Sequence, residues 1–317
     1  MLDYYSFKNE FVTRCRERLS GSVGGGTAGD IIIEERPVTK AQLGELTGLI
    51  FRASGSNCAP TVYIEDFYRS YRNGFSVDEL SIAAVNKMLR YIGNTPELSE
   101  DDLEDPANLR VRLLNRSRNT VFLKDVPYMD TGCGLALITE ISSGEFRAVV
   151  THDLLDSLGM SEEELFEAAL ENSSADEPAV LYSLTEMLDE GHDSCRNYLE
   201  SGPAITAGAL PQDVLYMLSN KSCFRGAAVL FYPGMAAKLN ALLKGAFYVL
   251  PSSVHELLLL PVSEGDPQRL AAIIGSANRT VVNEEDYLSD DLYVCEGGVV
   301  RRVSYGSFVP EPGTLPN

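Results

Sequence analysis

The sequence contains no run of eighteen uninterrupted apolar residues, and its opening, MLDYYSFKNEF, lacks a cationic stretch leading into an apolar one. Both absences argue against a membrane span and a secretory signal, so the expected compartment is the cytoplasm. No C-x-x-C pair occurs among the six cysteines, Cys15, Cys58, Cys133, Cys195, Cys223 and Cys295, which therefore read as reduced thiols, neither a disulfide framework nor a zinc site. HExxH and HxH are missing as well, so neither a metal site nor a cofactor is expected. With three histidines in all, imidazole chemistry is confined to His152, His192 or His255.

Basic residues are the other shortage. Net charge is -20, and no Lys or Arg stands between Arg147 and Arg196, where thirteen acids run from Asp153 to Asp193. Residues 201–317 hold eight Lys and Arg against eleven Asp and Glu, leaving eighteen against thirty-five for residues 1–200. A surface of this sign repels phosphate backbones, which disfavours direct nucleic-acid binding and anionic membranes. A solvated face that aids solubility is the plainest use of it. The functional readings are a surface that meets a basic protein and, more sharply, a mimic of nucleic acid.

What is present is globular material. The 317 residues are 44% hydrophobic and 23% charged, enough apolar side chain for two domains of ordinary size. Phe7, Phe11, Cys15 and Leu19 repeat every four residues and predict a first helix. The run Gly21 to Gly29 follows it and lacks the Gly-Lys-Ser/Thr ending of a phosphate loop, so it reads as a connector. Ile31–Glu35 predicts a strand; 39–52 is open between a helix, which Thr39 with Gln42 could cap, and strand structure, which Gly44 and Gly48 favour by weakening a helix. Ser76 with Glu79, and Ser161 with Glu164, have the spacing of capping boxes. Residues 97–105, with six acids between two prolines, predict an exposed loop. Two apolar runs, 135–141 and 146–150, flank a short turn and predict a hairpin.

Beyond residue 205 the texture changes to compact apolar runs at 214–219, 227–232, 247–250 and 257–262, read as strands. Helices are expected after Pro233 and from Pro267, and a closing hairpin around Gly297-Gly298. The expected fold class is α+β, as two mixed sheet-and-helix domains: an acidic domain at 1–204, with a further break near 95–125, and a second at 205–317.

Candidate chemistry is sparse. Ser253 and His255 lie two apart, on one face if the strand is regular, with Asp213 or Asp266 able to complete a hydrolytic triad. Same-face neighbours on a strand are about 6.6 Å apart, too far for a nucleophile and its base unless both lean inward, and no G-x-S-x-G elbow is present. His152 and Asp153 read as caps of the following helix. Cys133, in Thr131-Gly-Cys-Gly134, has small neighbours that leave its thiol accessible, but nothing nearby in sequence other than Lys124 could lower its pKa, so a reactive cysteine is not the expected reading. Tyr63, Tyr68 and Tyr71 with Arg69 and Arg72 could stack bases, but with Glu65 and Asp66 in the same segment they read as an amphipathic face or protein contact. Arg110, Arg112, Arg116 and Arg118 could hold an anion, but internal ion pairing fits the surrounding acids better. Glu162, Glu163, Glu167 and Glu171, with Arg110 and Arg112, are the candidate binding residues.

The strings GAAVLFYPGM from Gly226 and FYVLPSSVHELLLLP from Phe247, with Pro60–Tyr68, Lys124–Pro127, Val150–Leu155 and Ser161–Phe166, resemble the signature of an uncharacterised domain-of-unknown-function family of gut-associated Gram-positive anaerobes. The resemblance implies a bacterial cytoplasmic protein and assigns no catalytic residue, substrate or cofactor. The glycine-rich segment 21–29 departs from that pattern. The function expected is a non-enzymatic protein-binding or regulatory module using its acidic surface, and the alternative is a hydrolase using Ser253 and His255.

Overall fold

The computed structural model describes all residues except 23–30, 55–58, 93–99, 145, 191–194, 201–209, 212–213 and 305–317. The connector after Ser22, His192 and Asp213 thus lie outside the described residues. The described elements are α+β, with antiparallel pairing in each of three sheets. No described helix is long and apolar enough to cross a membrane. The chain divides into two compact units, Met1–Leu103 and Glu104–Asn317.

In the first unit α1 (Tyr4–Ser22) precedes a sheet of β1 (Ile31–Lys40), β2 (Gly44–Ala53) and β3 (Thr61–Tyr63), in that order. α2 (Ile64–Arg72), α3 (Val77–Ile92) and α4 (Glu100–Glu104) follow. The four-residue repeat on α1 is fully realised: Phe7, Phe11, Cys15 and Leu19 are buried against Leu49 and Phe51 of β2 and Leu80, Ala84 and Met88 of α3. Each large side chain so buried contributes about 1.5–3 kcal/mol. Tyr68 and Tyr71 extend this core, their rings 5.3 and 5.0 Å from Phe7. They serve α1 as an amphipathic face. Gly48 on the central strand is required by crowding, since a Cβ there would lie 2.8 Å from Val38 Cγ2 and 3.1 Å from Thr61 Cγ2. Ser76 opens α3 as a capping box, its N–H donating to Glu79 Oε2 at 2.9 Å and its Oγ accepting from Glu79 N–H.

Over Glu100–Glu104, α4 corrects the loop expected at 97–105, of which 97–99 lie outside the described residues. Glu100, Asp101 and Asp102 occupy its first turn, where the helix dipole favours negative charge, so acids that read as solvated loop also start a helical turn.

The second unit begins with β4 (Leu109–Asn115), β5 (Tyr128–Asp130), β6 (Leu135–Ser143) and β7 (Phe146–Val149). β6 is central, with β4 on one side and β5 and β7 on the other. α5 (His152–Leu158) and α6 (Glu162–Asp176) follow. α6 closes the open edge of β4: Ser173 Oγ accepts the Val111 N–H at 2.9 Å, and Asn172 Nδ2 donates to Pro106 O at 2.7 Å. The Val111 donor is thereby withdrawn from pairing with another chain.

A six-stranded sheet comes next. It contains β8 (Ala179–Ser183), then, after α7 (Leu184–Glu190), β9 (Tyr216–Asn220). β10 (Phe247–Pro251) and β11 (Leu257–Pro261) follow α8 (Met235–Leu242), and β12 (Tyr293–Glu296) and β13 (Val299–Arg302) follow α9 (Pro267–Thr280). The spatial order is β13-β12-β10-β11-β9-β8. β8 and β9, paired from Ala179↔Asn220 to Ser183↔Tyr216, stand on either side of the boundary expected near 205, so one sheet takes strands from both sides of it.

The run 227–232, expected as a strand, is instead a 3-10 turn over Gly226–Phe231. Gly226 to Leu230 are all buried, and a short apolar run buried on every side shows no periodicity that separates strand from helix. Arg225 before it has φ 57, which turns the chain out of the extended path of β9.

Candidate functional site

The ionisable side chains that converge in the second unit do so around the loop from Asn220 to Gly226. Asn220 organises the loop. Its Oδ1 accepts from Phe224 N–H at 3.2 Å and Ser222 Oγ–H at 3.1 Å, while its Nδ2 donates to Phe224 O at 2.9 Å and Glu177 Oε2 at 3.0 Å. Cys223 and Arg225 both lie in the left-handed region, at φ 51 and 57, a conformation that costs a side-chain-bearing residue about 1–2 kcal/mol. Gly226 ends the loop where nothing larger fits: a Cβ would meet Ser219 Oγ at 2.2 Å, Asn220 N at 2.5 Å and His255 O at 2.8 Å. Between the two strained residues Phe224 is 39% exposed.

His255, in the turn between β10 and β11, fastens this loop. Its Nδ1 accepts the Arg225 backbone N–H at 3.0 Å, and its Nε2 lies 3.1 Å from Asp286 Oδ1. A backbone N–H can only donate, so Nδ1 is the bare nitrogen and Nε2 carries the proton that goes to Asp286. Asp286 in turn fixes the turn from behind, its carbonyl accepting Val254 N–H at 2.8 Å.

Beneath the loop is an ionic core. Glu140 on β6 is 4% exposed and pairs with Arg112 of β4 at 3.2 Å and with Arg225. Register explains the first contact, because Arg110 stands opposite Glu140 and Arg112 is the diagonal neighbour on the same face. Burial pushes the Arg112 guanidinium down to about 10, opposed by the nearby charges of Asp286 and Glu285. Arg225 is also pushed down to about 10, by burial first and then by Arg112. Both remain cationic at neutral pH.

Ser253 takes a different role. Its Oγ accepts the His255 backbone N–H and donates to Glu256 Oε1, each at 2.9 Å. Both nitrogens of the His255 ring are engaged elsewhere, so the hydroxyl has no imidazole to take its proton. Asp266 caps α9 through Arg269 N–H at 2.7 Å, and the carboxylate behind the ring is Asp286, thirty-one residues from His255. Sequence reading missed Asp286, Arg225 and Glu140 in this cluster.

The remaining candidates are placed plainly. His152 begins α5, but the cap is Thr151, whose Oγ1 accepts Leu154 N–H at 3.2 Å, correcting the cap expected from His152 and Asp153. Cys133 is 5% exposed, not accessible, with Sγ 3.1 Å from Thr131 Oγ1, and burial pushes its thiol up. The bulk of the surrounding sheet outweighs the small size of its immediate neighbours. All four clustered arginines are ion-paired, Arg110 with Asp176, Arg112 with Glu140, Arg116 with Asp130 and Arg118 with Glu284. Glu162, Glu163, Glu167 and Glu171 are exposed on α6. The helix is held by a full capping box at Ser161 and Glu164, in which the Ser161 N–H and hydroxyl keep the Glu164 carboxyl below its ordinary range.

A separate groove of about 390 Å³ lies between the Gly226–Phe231 turn, α8 and the β12–β13 hairpin; its walls carry no acid, base or thiol. No cluster of potential metal ligands is found among the described residues.

A family model described as a family of unknown function (DUF5688) matches residues 4–296. The chain belongs to that family. The DUF5688 match runs from α1 to β12 and contains the loop at Phe224, the ionic core and the acidic face of α6. No curated protein and no solved structure matches the chain.

Proposed function

We propose that this DUF5688 protein is a non-enzymatic protein-binding module, bacterial and cytoplasmic, whose acidic face on α6 meets a basic surface of a partner. The observation that supports it is an imbalance of pairing. Glu163, Glu167 and Glu171 recur every four residues along exposed α6 and, with Glu162, have no ion pair among the described residues, whereas the arginines of β4 and its following turn are all paired internally. Like charges at this spacing cost an isolated helix about 0.2–0.5 kcal/mol per pair, so the stripe works against folding and in favour of a cation from outside. The hydroxyl of Ser253 is bonded to Glu256 and not to the His255 ring, which weighs against the pairing that the hydrolase alternative requires. The buried free thiols of Cys15, Cys133 and Cys295 suit a reducing compartment.

The test compares the wild-type protein with a variant carrying Glu162→Gln, Glu163→Gln, Glu167→Gln and Glu171→Gln as baits in native-host extract at low and high salt. A basic partner is expected on the wild type, released by salt as the screening length shortens to a few Å and absent from the variant. Identical partners on both baits would end this reading.

A further inference from the structure

We propose that the Phe224 loop is a second docking point, of opposite character, for a partner polypeptide that presents a carboxylate beside an apolar side chain. Phe224 stands 39% exposed among three cationic or aromatic groups, with the Arg147 guanidinium 5.0 Å from its ring centroid, that of Arg225 at 5.1 Å and the His255 ring at 5.2 Å. The charge of Arg225 is taken up by Glu140. Arg147 is half-buried and has no carboxylate within ion-pair distance among the described residues; the same holds for Lys221, exposed in the same loop. In a chain of net charge -20, where neighbouring arginines find acids within the fold, an unmatched guanidinium laid on an exposed ring directs its charge outward.

The chemistry of the occupant follows. A guanidinium stacked on an aromatic face keeps its planar N–H edge for bidentate contact with a carboxylate, and the exposed part of Phe224 offers apolar contact next to it. Asp286, Glu285 and Glu256 belong to the same cluster of turns and weigh against a dianionic phosphate or a nucleic acid, while a single carboxylate on a peptide meets less repulsion. Arg and aromatic side chains are the common anchors of protein interfaces. The anchor is preorganised by Asn220, by His255 and by the lack of room at Gly226, so little ordering is left to be done on binding.

The test titrates the isotopically labelled full chain with the peptide acetyl-Leu-Glu-Phe-amide, which carries one carboxylate, and with the same peptide carrying Lys for Glu, following the Phe224 amide and the Arg147 Nε–H by NMR. The acidic peptide is expected to shift both signals in a salt-sensitive manner, and the basic peptide neither. Arg147→Gln and Phe224→Ala should each weaken binding about tenfold or more, the loss typical of an interface anchor. Neutralising the α6 glutamates should leave it unchanged, which separates this site from the acidic face. If Phe224→Ala alters the fold, Arg147→Gln decides, since its side chain makes no hydrogen bond within the described structure. Equal response to both peptides, response to neither, or binding that survives Arg147→Gln overturns the proposal.

Discussion

The backbone N–H of Arg225 donates to Nδ1 of His255 at 3.0 Å, across thirty residues of sequence. This bond places the imidazole in the scaffold: it holds Arg225 in the left-handed conformation that directs the guanidinium to Glu140. His255→Ala should therefore destabilise the protein by about 1 kcal/mol, the cost of leaving a part-buried donor without its acceptor. Ser253→Ala, which removes a hydroxyl that accepts one N–H and donates to Glu256, should cost about 1 kcal/mol. Urea unfolding measures both, and hydrolysis of a panel of activated esters should be the same for the wild type and Ser253→Ala. Esterase activity that vanished with Ser253 would return the hydrolase reading.

Glu140 pairs with both Arg112 and Arg225. Glu140→Ala leaves two poorly solvated cations facing each other and should cost about 3–5 kcal/mol, as breaking a buried pair does. Adding Arg225→Met to that background should recover part of the loss, because an unpaired charge is removed with it. A double-mutant cycle in urea checks this, and strict additivity of the two changes would contradict the ionic core.

Glu167 has a like charge four residues away on each side. Glu167→Lys converts two repulsive spacings into attractive ones and should stabilise the protein by roughly 0.5–1 kcal/mol, while weakening capture of a basic partner. A gain in thermal midpoint with unchanged partner capture would mean that the stripe serves solubility alone.

Alkali should weaken the fold. Burial pushes the Cys15 thiol up from 9.0 to about 12, and burial followed by a hydrogen bond to Glu65 pushes Tyr4 up from 10.0 to about 12. Tyr198 rises to about 12 by burial and its bond to Glu186. Between the unfolded and folded values the native state keeps protons that the unfolded chain releases, so stability is whole below pH 9 and is lost as pH rises toward 12. Arg112 and Arg225, pushed down to about 10, act in the opposite direction, but the raised groups, with Tyr232, Tyr293 and Cys295 among them, outnumber them. Urea midpoints at neutral pH and at pH about 11 should differ in the direction of loss, and equal midpoints would refute it.

Local grammar carried much of the fold. The four-residue repeat of α1, the capping boxes at Ser76 and Ser161, the Pro267 start of α9 and the hairpins around Gly144 and Gly297 each reside within a few residues, and each is found. The pairing of the arginine cluster was legible too, because the charges to be balanced were near in sequence or abundant. What sequence could not show is non-local. Arg225 meets Glu140 across eighty-five residues and His255 meets Asp286 across thirty-one, and no spacing rule links such positions. Gly226–Phe231 reads as a strand in sequence because its residues are apolar without period, and the crowding at Gly226 that accompanies the turn comes from residues outside the run, His255 among them.

The lateral neighbourship of β8 and β9 sets where the polypeptide can be divided. A piece starting at residue 205 would keep β9 with all five of its residues, Tyr216 to Asn220, adapted to the interior but would strip its flank of hydrogen-bonding partners, turning a concealed strand into a template for association. A piece starting at Glu104 keeps the strands of both sheets of the second unit, so expression trials cut there should yield dispersed protein where the later cut yields precipitate.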